Sequence, residues 1–283
     1  MRTSTAVAGA GTMGSDIAYT IARSGQTAVL LDTSPEALDA ARRRILDAAR
    51  VDRLMRGGAA SPAPEAVLAC VAFTLDVRDF AQTGFVVENI TENLHAKQAL
   101  YAQLSEICPP PTVIAANTSA IPITRLGSFV VDATRVVGVH FMNPVPLKPT
   151  VELIRGVHTS DFTVARTTEF LESIGKKSVI VNDSPGFVSN RVLMLTINEA
   201  VFLLFEGVAS AESVDRIFCE CFGHPMGPLA TADLIGLDTI LHSIEVLYDE
   251  FADSKYRPCP LLKQMVRAGF HGRKTGRGFF DYS

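Results

Sequence analysis

Gly9-Ala10-Gly11-Thr12-Met13-Gly14 lies between a short apolar run, Thr5–Ala8, and a stretch of helical periodicity from Met13 to Ser24. No other feature constrains the chain as much, because each glycine answers a different demand. The first permits a tight turn, the second lets the backbone approach a pyrophosphate, and the third lets strand and helix pack closely. The helix N-terminus then offers N–H groups and partial positive charge to a phosphate. Gly25 is placed to end that helix. The β-branched, aliphatic run Thr27–Leu31 follows and stops at Asp32, where a carboxylate can take ribose hydroxyls. Alone, Asp32 is equally a turn or helix-cap residue. With the glycine motif and both flanking elements, the pattern points to a dinucleotide held by Gly9, Gly11, Thr12, Met13, Gly14 and Asp32. Asp32 would repel a 2′-phosphate and Thr33-Ser34 bring no cation, so NAD is favoured over NADP.

Ser34-Pro35-Glu36 is a helix start, with Ser34 as N-cap and Pro35 at the first position. That helix is long and arginine-rich and reaches about Gly57, followed by a Gly/Pro loop to Pro64. Val71–Thr74, Phe85–Val87 and Val113–Ala116 read as strands, with a helix from Asn93 to Ile107. Near-continuous apolar strands alternating with helices describe a parallel sheet covered on both faces. Val136–Val139, Val151–Ile154 and Ser178–Val181 read as further strands, with a helix from a Ser160 cap to Ile174. After Asn182-Asp183-Ser184-Pro185-Gly186 only helical periodicity remains, at about 187–206, 211–222, 229–249 and 259–268. The expected fold is α/β: a Rossmann-type doubly wound sheet over residues 1–183, followed by an all-α domain over 184–283.

At 283 residues and 47% hydrophobic, the chain can bury a large core without disulfides or metals, and intrinsic disorder is excluded for the whole. With 26 Lys+Arg against 30 Asp+Glu, the balance argues against a nucleic-acid partner. The five cysteines are scattered and form no disulfide framework, which suits a reducing, cytoplasmic setting. Cys219-x-Cys221 with His224 nearby is a weak metal pattern, since i and i+2 do not share a helix face; no metal is expected. No targeting segment is read at the N-terminus. The longest apolar stretch, Val192–Phe205, is interrupted by Asn198 and Glu199 and is too short to span a bilayer. It is apolar around most of its circumference, so a homodimer through the C-terminal helices is its simplest use.

Three further segments carry chemistry: Asn117-Thr118-Ser119, His140-Phe141-Met142-Asn143-Pro144-Val145-Pro146, and Asp183-Ser184-Pro185-Gly186-Phe187-Val188-Ser189-Asn190-Arg191. In these, in this order, the chain resembles the L-3-hydroxyacyl-CoA dehydrogenase family, which includes bacterial 3-hydroxybutyryl-CoA dehydrogenases. The resemblance covers essentially the whole chain and extends to Gly272-Arg273-Lys274-Thr275-Gly276. It implies reversible, NAD-dependent oxidation of a 3-hydroxyacyl thioester. Oxidising a secondary alcohol needs a base, and a histidine titrates in the useful range. His140 ends an apolar strand, where α/β ligands bind.

The resemblance makes His140 the base and Glu152 its orienting carboxylate. It assigns the reacting oxygen to Ser119 and Asn190, and cofactor contacts to Glu92, Lys97, Asn143 and Lys274. From residue types alone, Ser119 is also a cap for the 120–126 turn, Glu92 a helix-start acid, Glu152 a strand-end acid and Asn190 an early-helix polar residue. A thioester of CoA carries phosphates, and Arg42, Arg43, Arg44, Arg50, Arg53 and Arg56 supply cations along the second helix. Arg50 and Arg53 are taken as substrate contacts; such a run is also read as a solvated face. Leu147-Lys148-Pro149-Thr150 departs from the family pattern. It is similar to homologues that oxidise glyceryl groups on acyl carrier protein for polyketide extender units, so CoA and carrier-protein thioesters both remain open. A non-catalytic NAD-binding relative is the reading from a different class. It would be expected to lose one of Ser119, His140, Glu152 and Asn190, all of which are present.

Overall fold

The computed structural model describes residues 4–55, 61–119 and 121–282. Arg56, the start of the Gly57–Pro64 loop and Ala120 lie outside the described residues. The chain divides into two compact units, Met1–Asp183 and Ser184–Ser283.

The first unit is built on strands β1 (Thr5–Ala8), β2 (Ala28–Leu31), β3 (Val71–Thr74), β4 (Phe85–Glu88), β5 (Val113–Ala116), β6 (Val136–His140), β7 (Thr150–Arg155) and β8 (Lys177–Asn182). They form one sheet in the order β3-β2-β1-β4-β5-β6-β7-β8. The strand order reverses at β1, which pairs with β2 on one side and β4 on the other. A crevice therefore opens beyond the carboxyl ends of β1 and β4, where open α/β sheets bind ligands. β1, β4, β5 and β6 are buried along their whole length, as the near-continuous apolar runs require.

The helices are α1 (Thr12–Arg23), α2 (Pro35–Met55), α3 (Pro64–Leu68), α4 (Leu94–Ile107), α5 (Ile123–Gly127) and α6 (Asp161–Ser173). Their starts follow the capping chemistry. Ser34 Oγ accepts from Ala37 N–H at 3.1 Å, Asn93 Oδ1 from Ala96 N–H at 3.0 Å, and Ser160 Oγ from Thr163 N–H at 3.2 Å. Val7, Ile17, Leu30, Ile45, Val87, Val137 and Leu153 belong to the core shared by sheet and helices.

One strand departs from the expected parallel sheet. β7 runs antiparallel to β6, pairing Gly138 with Ile154, Val139 with Leu153 and His140 with Glu152. The Phe141–Pro149 connection is shorter than the dozen or more residues a parallel crossover needs, so the chain can only double back. β8 then pairs parallel to β7 and forms an exposed edge, with Val179 and Ile180 about half exposed.

The second unit holds α7 (Ser189–Phe205), α8 (Ala211–Phe222), α9 (Pro228–Ile235), α10 (Leu237–Phe251) and α11 (Pro260–Arg267). The sequence suggested one helix over 229–249, but the structure breaks it at Gly236, whose φ is +109°. A Cβ there would lie 2.9 Å from both Asp238 Oδ1 and Lys274 Nζ, so glycine's conformational freedom ends one helix and starts the next. α7 buries Met194, Ile197, Ala200 and Val201, while Val192 and Phe205 are exposed.

Two buried carboxylates organise this unit. Asp215, on α8, accepts from Leu229 N–H at 2.9 Å and Ala230 N–H at 2.8 Å, in the first turn of α9. Asp233, on α9, accepts from Phe279 and Phe280 N–H at 2.9 Å each and so holds the C-terminal tail. Burial pushes the Asp233 carboxyl up, and the two amide donors pull against it. Asp215→Ala leaves two amide donors without their acceptor and is expected to cost about 1–3 kcal/mol. A urea titration would read this as a lower midpoint at unchanged m.

Candidate active site

The glycine motif occupies the β1–α1 turn. Gly9 has φ +98°, and a Cβ on it would lie 2.4 Å from the Asn89 carbonyl oxygen; one on Gly14 would lie 1.8 Å from the Gly9 carbonyl oxygen. These two glycines are therefore required by the fold. Gly11 is different. Its φ and ψ, −63° and −171°, suit any residue, and a Cβ there would meet nothing within 4 Å. The chain's own fold does not require glycine at position 11, and the space beside it at the α1 N-terminus is open. Thr12 is exposed there, and Met13 turns its side chain back onto the core.

A cleft of about 610 Å³ adjoins this turn, lined among others by Gly9, Gly11, Asp32, Leu75, Val77 and Ile90. Asp32 Oδ2 accepts from Ala10 N–H at 2.8 Å and Oδ1 from Ser34 N–H at 3.0 Å. The carboxylate thus braces the glycine turn while standing in the cleft wall. Leu75 and Val77, apolar walls for a flat base, were not singled out from the sequence; their only signal is their place just after β3.

The β6–β7 register sets the second half of the site. His140 and Glu152 are cross-strand partners, and His140 Nδ1 lies 2.9 Å from Glu152 Oε2, both side chains being buried. A carboxylate only accepts hydrogen bonds, so Nδ1 carries the proton and Nε2 of the neutral ring is left as the acceptor. Ser119 Oγ lies 3.3 Å from that Nε2. Other side chains also bond the helix starts nearby. At the start of α5, Thr118 Oγ1 accepts from Ile121 N–H, and Asp183 accepts from Ile123 and Thr124 N–H. Glu92 Oε1 takes the Thr118 hydroxyl and, at 3.0 Å, the Ser119 N–H. Asn117 joins the strand ends by donating to Asn89 Oδ1 and accepting from Phe141 N–H at 3.1 Å.

Lys97 departs from the expected direct cofactor contact. Its side chain has no exposed surface, and its ammonium donates to both Glu88 oxygens at 2.7 and 2.9 Å and lies 3.6 Å from Glu92 Oε2. A buried ammonium needs such a counter-charge. Burial pushes the Glu88 carboxyl up, with Lys97 pulling it back, and Tyr101 OH adds a bond to Glu88 at 3.2 Å.

The remaining candidates are dispersed. Asn143 is exposed on the turn after β6, at a cis Asn143–Pro144 bond. At about 100° per residue along α2, Arg42, Arg43, Arg50 and Arg53 fall within one arc of the helix and Arg44 points away from it. Arg42 stacks on the Phe73 ring at 4.0 Å, Arg44 acts on Asp16, and Arg50 pairs with Asp47 at 3.1 Å. Arg53 is exposed. In the second unit, Asn190 is half-buried in the first turn of α7, and Lys274 is held by Asp238 at 2.6 Å rather than standing free.

Comparison with known proteins agrees along the whole chain. The family model described as "3-hydroxyacyl-CoA dehydrogenase, NAD binding domain" matches residues 4–184, and the one described as "3-hydroxyacyl-CoA dehydrogenase, C-terminal domain" matches residues 186–282. A probable 3-hydroxybutyryl-CoA dehydrogenase of Deinococcus radiodurans is 48% identical, over 98% of this chain and 99% of the relative. Another from Bacillus subtilis is 45% identical, over 98% and 96%. The crystal structure of (S)-3-hydroxybutyryl-CoA dehydrogenase from Ralstonia eutropha covers all of both chains with a TM-score of 0.93 at 42% identity.

The contrast between the glycines is directly testable. Gly11→Ala should leave the melting temperature within about 2 °C of wild type, as expected of a surface change with no strained contact. The same change should weaken NAD binding at least about tenfold by occupying the ligand's space. Gly14→Ala should instead lower the melting temperature by several degrees, read by thermal denaturation without ligand.

Proposed function

The chain belongs to the 3-hydroxyacyl-CoA dehydrogenase family, and on that footing we propose that it oxidises the 3-hydroxyl of 3-hydroxybutyryl-CoA, or a close homologue, reversibly and with NAD. The observation that carries the reading is the line Ser119 Oγ, His140 Nε2, His140 Nδ1, Glu152, with steps of 3.3 and 2.9 Å. It is a base with a fixed tautomer beside a hydroxyl that can hold a second oxygen. Relatives at 48% and 45% identity carry the 3-hydroxybutyryl-CoA name, which favours a CoA thioester over a carrier-protein one.

Bound NAD supplies the hydride acceptor. His140 Nε2 takes the substrate hydroxyl proton as the carbinol carbon loses hydride. Glu152 stabilises the imidazolium so formed and keeps Nε2 aimed at the oxygen. Ser119 holds that oxygen and supports its charge in the ketone-reducing direction. In the reverse reaction His140 returns the proton. Asp32 takes the ribose of the adenosine half, and Asn143 serves the nicotinamide end. Glu92 faces the cofactor with Lys97 behind it. Arg50 and Arg53, exposed on α2, receive the phosphate end of CoA.

The second unit serves substrate binding and dimer formation. Support for a homodimer lies in its exposed apolar side chains: Val192 and Phe205 on α7, and Ile217 and Phe222 on α8. No helix among the described residues is long and apolar enough to cross a membrane. A reducing cytoplasm suits the unpaired cysteines.

His140→Gln should keep NAD affinity and lose about 10²–10⁴ in kcat on the best substrate; near-wild-type turnover would end the assignment. NADH production should be greatest with 3-hydroxybutyryl-CoA in a panel that includes longer hydroxyacyl-CoAs and a glyceryl carrier-protein thioester, and preference for the last would move the substrate reading to carrier protein. Light scattering at micromolar concentration should give twice the monomer mass.

A further inference from the structure

Two titratable groups of the first unit take no part in the chemistry above, yet both grip the same short turn. Lys176, between α6 and β8, is only 3% exposed. Its ammonium donates to the carbonyl of Val145 and, at 2.8 Å, to that of Lys148. Asp16, in α1, is half-buried, and the backbone N–H of Val145 faces its carboxylate. One turn is thus held through two carbonyls by a cation, with an anion beside one of its N–H groups. The turn closes on itself, with Leu147 and Lys148 N–H donating to the Pro144 carbonyl at 3.1 and 3.2 Å. The residue after Lys176 continues the grip, since Lys177 N–H donates to the Pro149 carbonyl at 2.8 Å.

The place of this turn gives the grip its meaning. It lies between the strand that ends in His140 and the strand that carries Glu152, and Asn143 immediately precedes it. Asp16 stands two residues beyond Gly14 on the helix that starts at the glycine turn. Closing a surface turn does not require a buried ammonium, which is costly to desolvate. Burial lowers the Lys176 ammonium, with Arg23 adding to this and Asp16 opposing it. Burial raises the Asp16 carboxyl, with the Val145 N–H, Arg44 and Lys176 pulling it back. Each of the two groups therefore favours the charged form of the other.

We propose that Lys176 and Asp16 are positioning residues that lock the Pro144–Lys148 turn to the α6–β8 connection and to the start of α1, and so fix Asn143 and the His140–Glu152 pair relative to the helix that receives the diphosphate. The consequence is selective. The adenosine and diphosphate half of a dinucleotide is bound by β1, α1 and β2 without the turn, whereas the nicotinamide half is presented to His140 only when the turn is in place. The proposal rests on the reading that the nicotinamide end lies beside His140. It can be tested without any acyl substrate.

The test compares NADH with ADP-ribose, which lacks the nicotinamide, by titration calorimetry on the full chain. Lys176→Met should weaken NADH at least tenfold and change ADP-ribose by less than twofold. Lys176→Arg, which keeps the charge and the donors, should recover most of the loss, and Asp16→Asn should move the ratio in the same direction by a smaller factor. With the best thioester, kcat of Lys176→Met should fall by a larger factor than KM changes. If Lys176→Met fails to fold, Asp16→Asn carries the same comparison. Equal weakening of both ligands, or unchanged NADH affinity, overturns the clamp. A shifted NADH to ADP-ribose ratio in a protein that oxidises no hydroxyacyl thioester leaves the clamp standing and removes the proposed function.

Discussion

The reversal of the chain between β6 and β7 is the constraint on which the candidate site depends. Parallel neighbours would run in the same direction, and residues that follow one another along the chain would be separated by a helix. Doubling back places His140 and Glu152 directly opposite on one face, close enough for a hydrogen bond of 2.9 Å. The acid and the imidazole are thus set by sheet register, which resists slippage because a shift of β7 by one residue would turn its side chains, Glu152 among them, to the face opposite His140. Ser119 comes from the end of the neighbouring region of β5, so three adjacent strand ends supply the line of groups along which a proton can move.

Charge is handled differently in the two halves of the crevice. The dinucleotide half offers backbone N–H groups, a helix terminus and one carboxylate that also braces the turn. The reactive half stands beside a wholly buried ion pair, Glu88 with Lys97, whose cation lies 3.6 Å from Glu92. Glu92 in turn fixes the backbone and hydroxyl groups of Thr118 and Ser119. The Ser119 loop is thereby attached to the most deeply buried electrostatic feature of the unit, and its position does not depend on a long flexible side chain at the surface.

Much of this was legible in the sequence, and the reasons are specific. The glycine turn, the apolar strands and the Ser34, Asn93 and Ser160 helix starts rest on local chemistry, and each stands where that chemistry puts it. Strand direction is not local: Val151–Ile154 looks the same in either direction, and only the short connection after β6 could have signalled the reversal. The break at Gly236 was hidden because apolar periodicity continues across it. α3 and α5 are too short to show a helical period. Lys97, given a cofactor contact by the resemblance, shows its burial only in the structure. The burial of Lys176 and the half-burial of Asp16 are equally illegible, since a sequence does not say which side of a helix or turn a neighbour will cover. Of the arginines on α2, the helical period sets only Arg44 apart from Arg42, Arg43, Arg50 and Arg53.

The Glu88–Lys97 pair also limits how this chain can change over generations. Replacing Lys97 leaves the Glu88 carboxylate without its cation, and replacing Glu88 leaves Lys97 only Glu92 at 3.6 Å, at about 3–5 kcal/mol, a large part of an ordinary domain's stability. Replacing both with apolar residues of similar volume can be nearly neutral, but reaching that state one substitution at a time crosses a state too unstable to persist. The two positions are therefore expected to be inherited as a unit. Residues 88 and 97 should keep complementary identities across relatives even where the exposed helix positions between them drift freely.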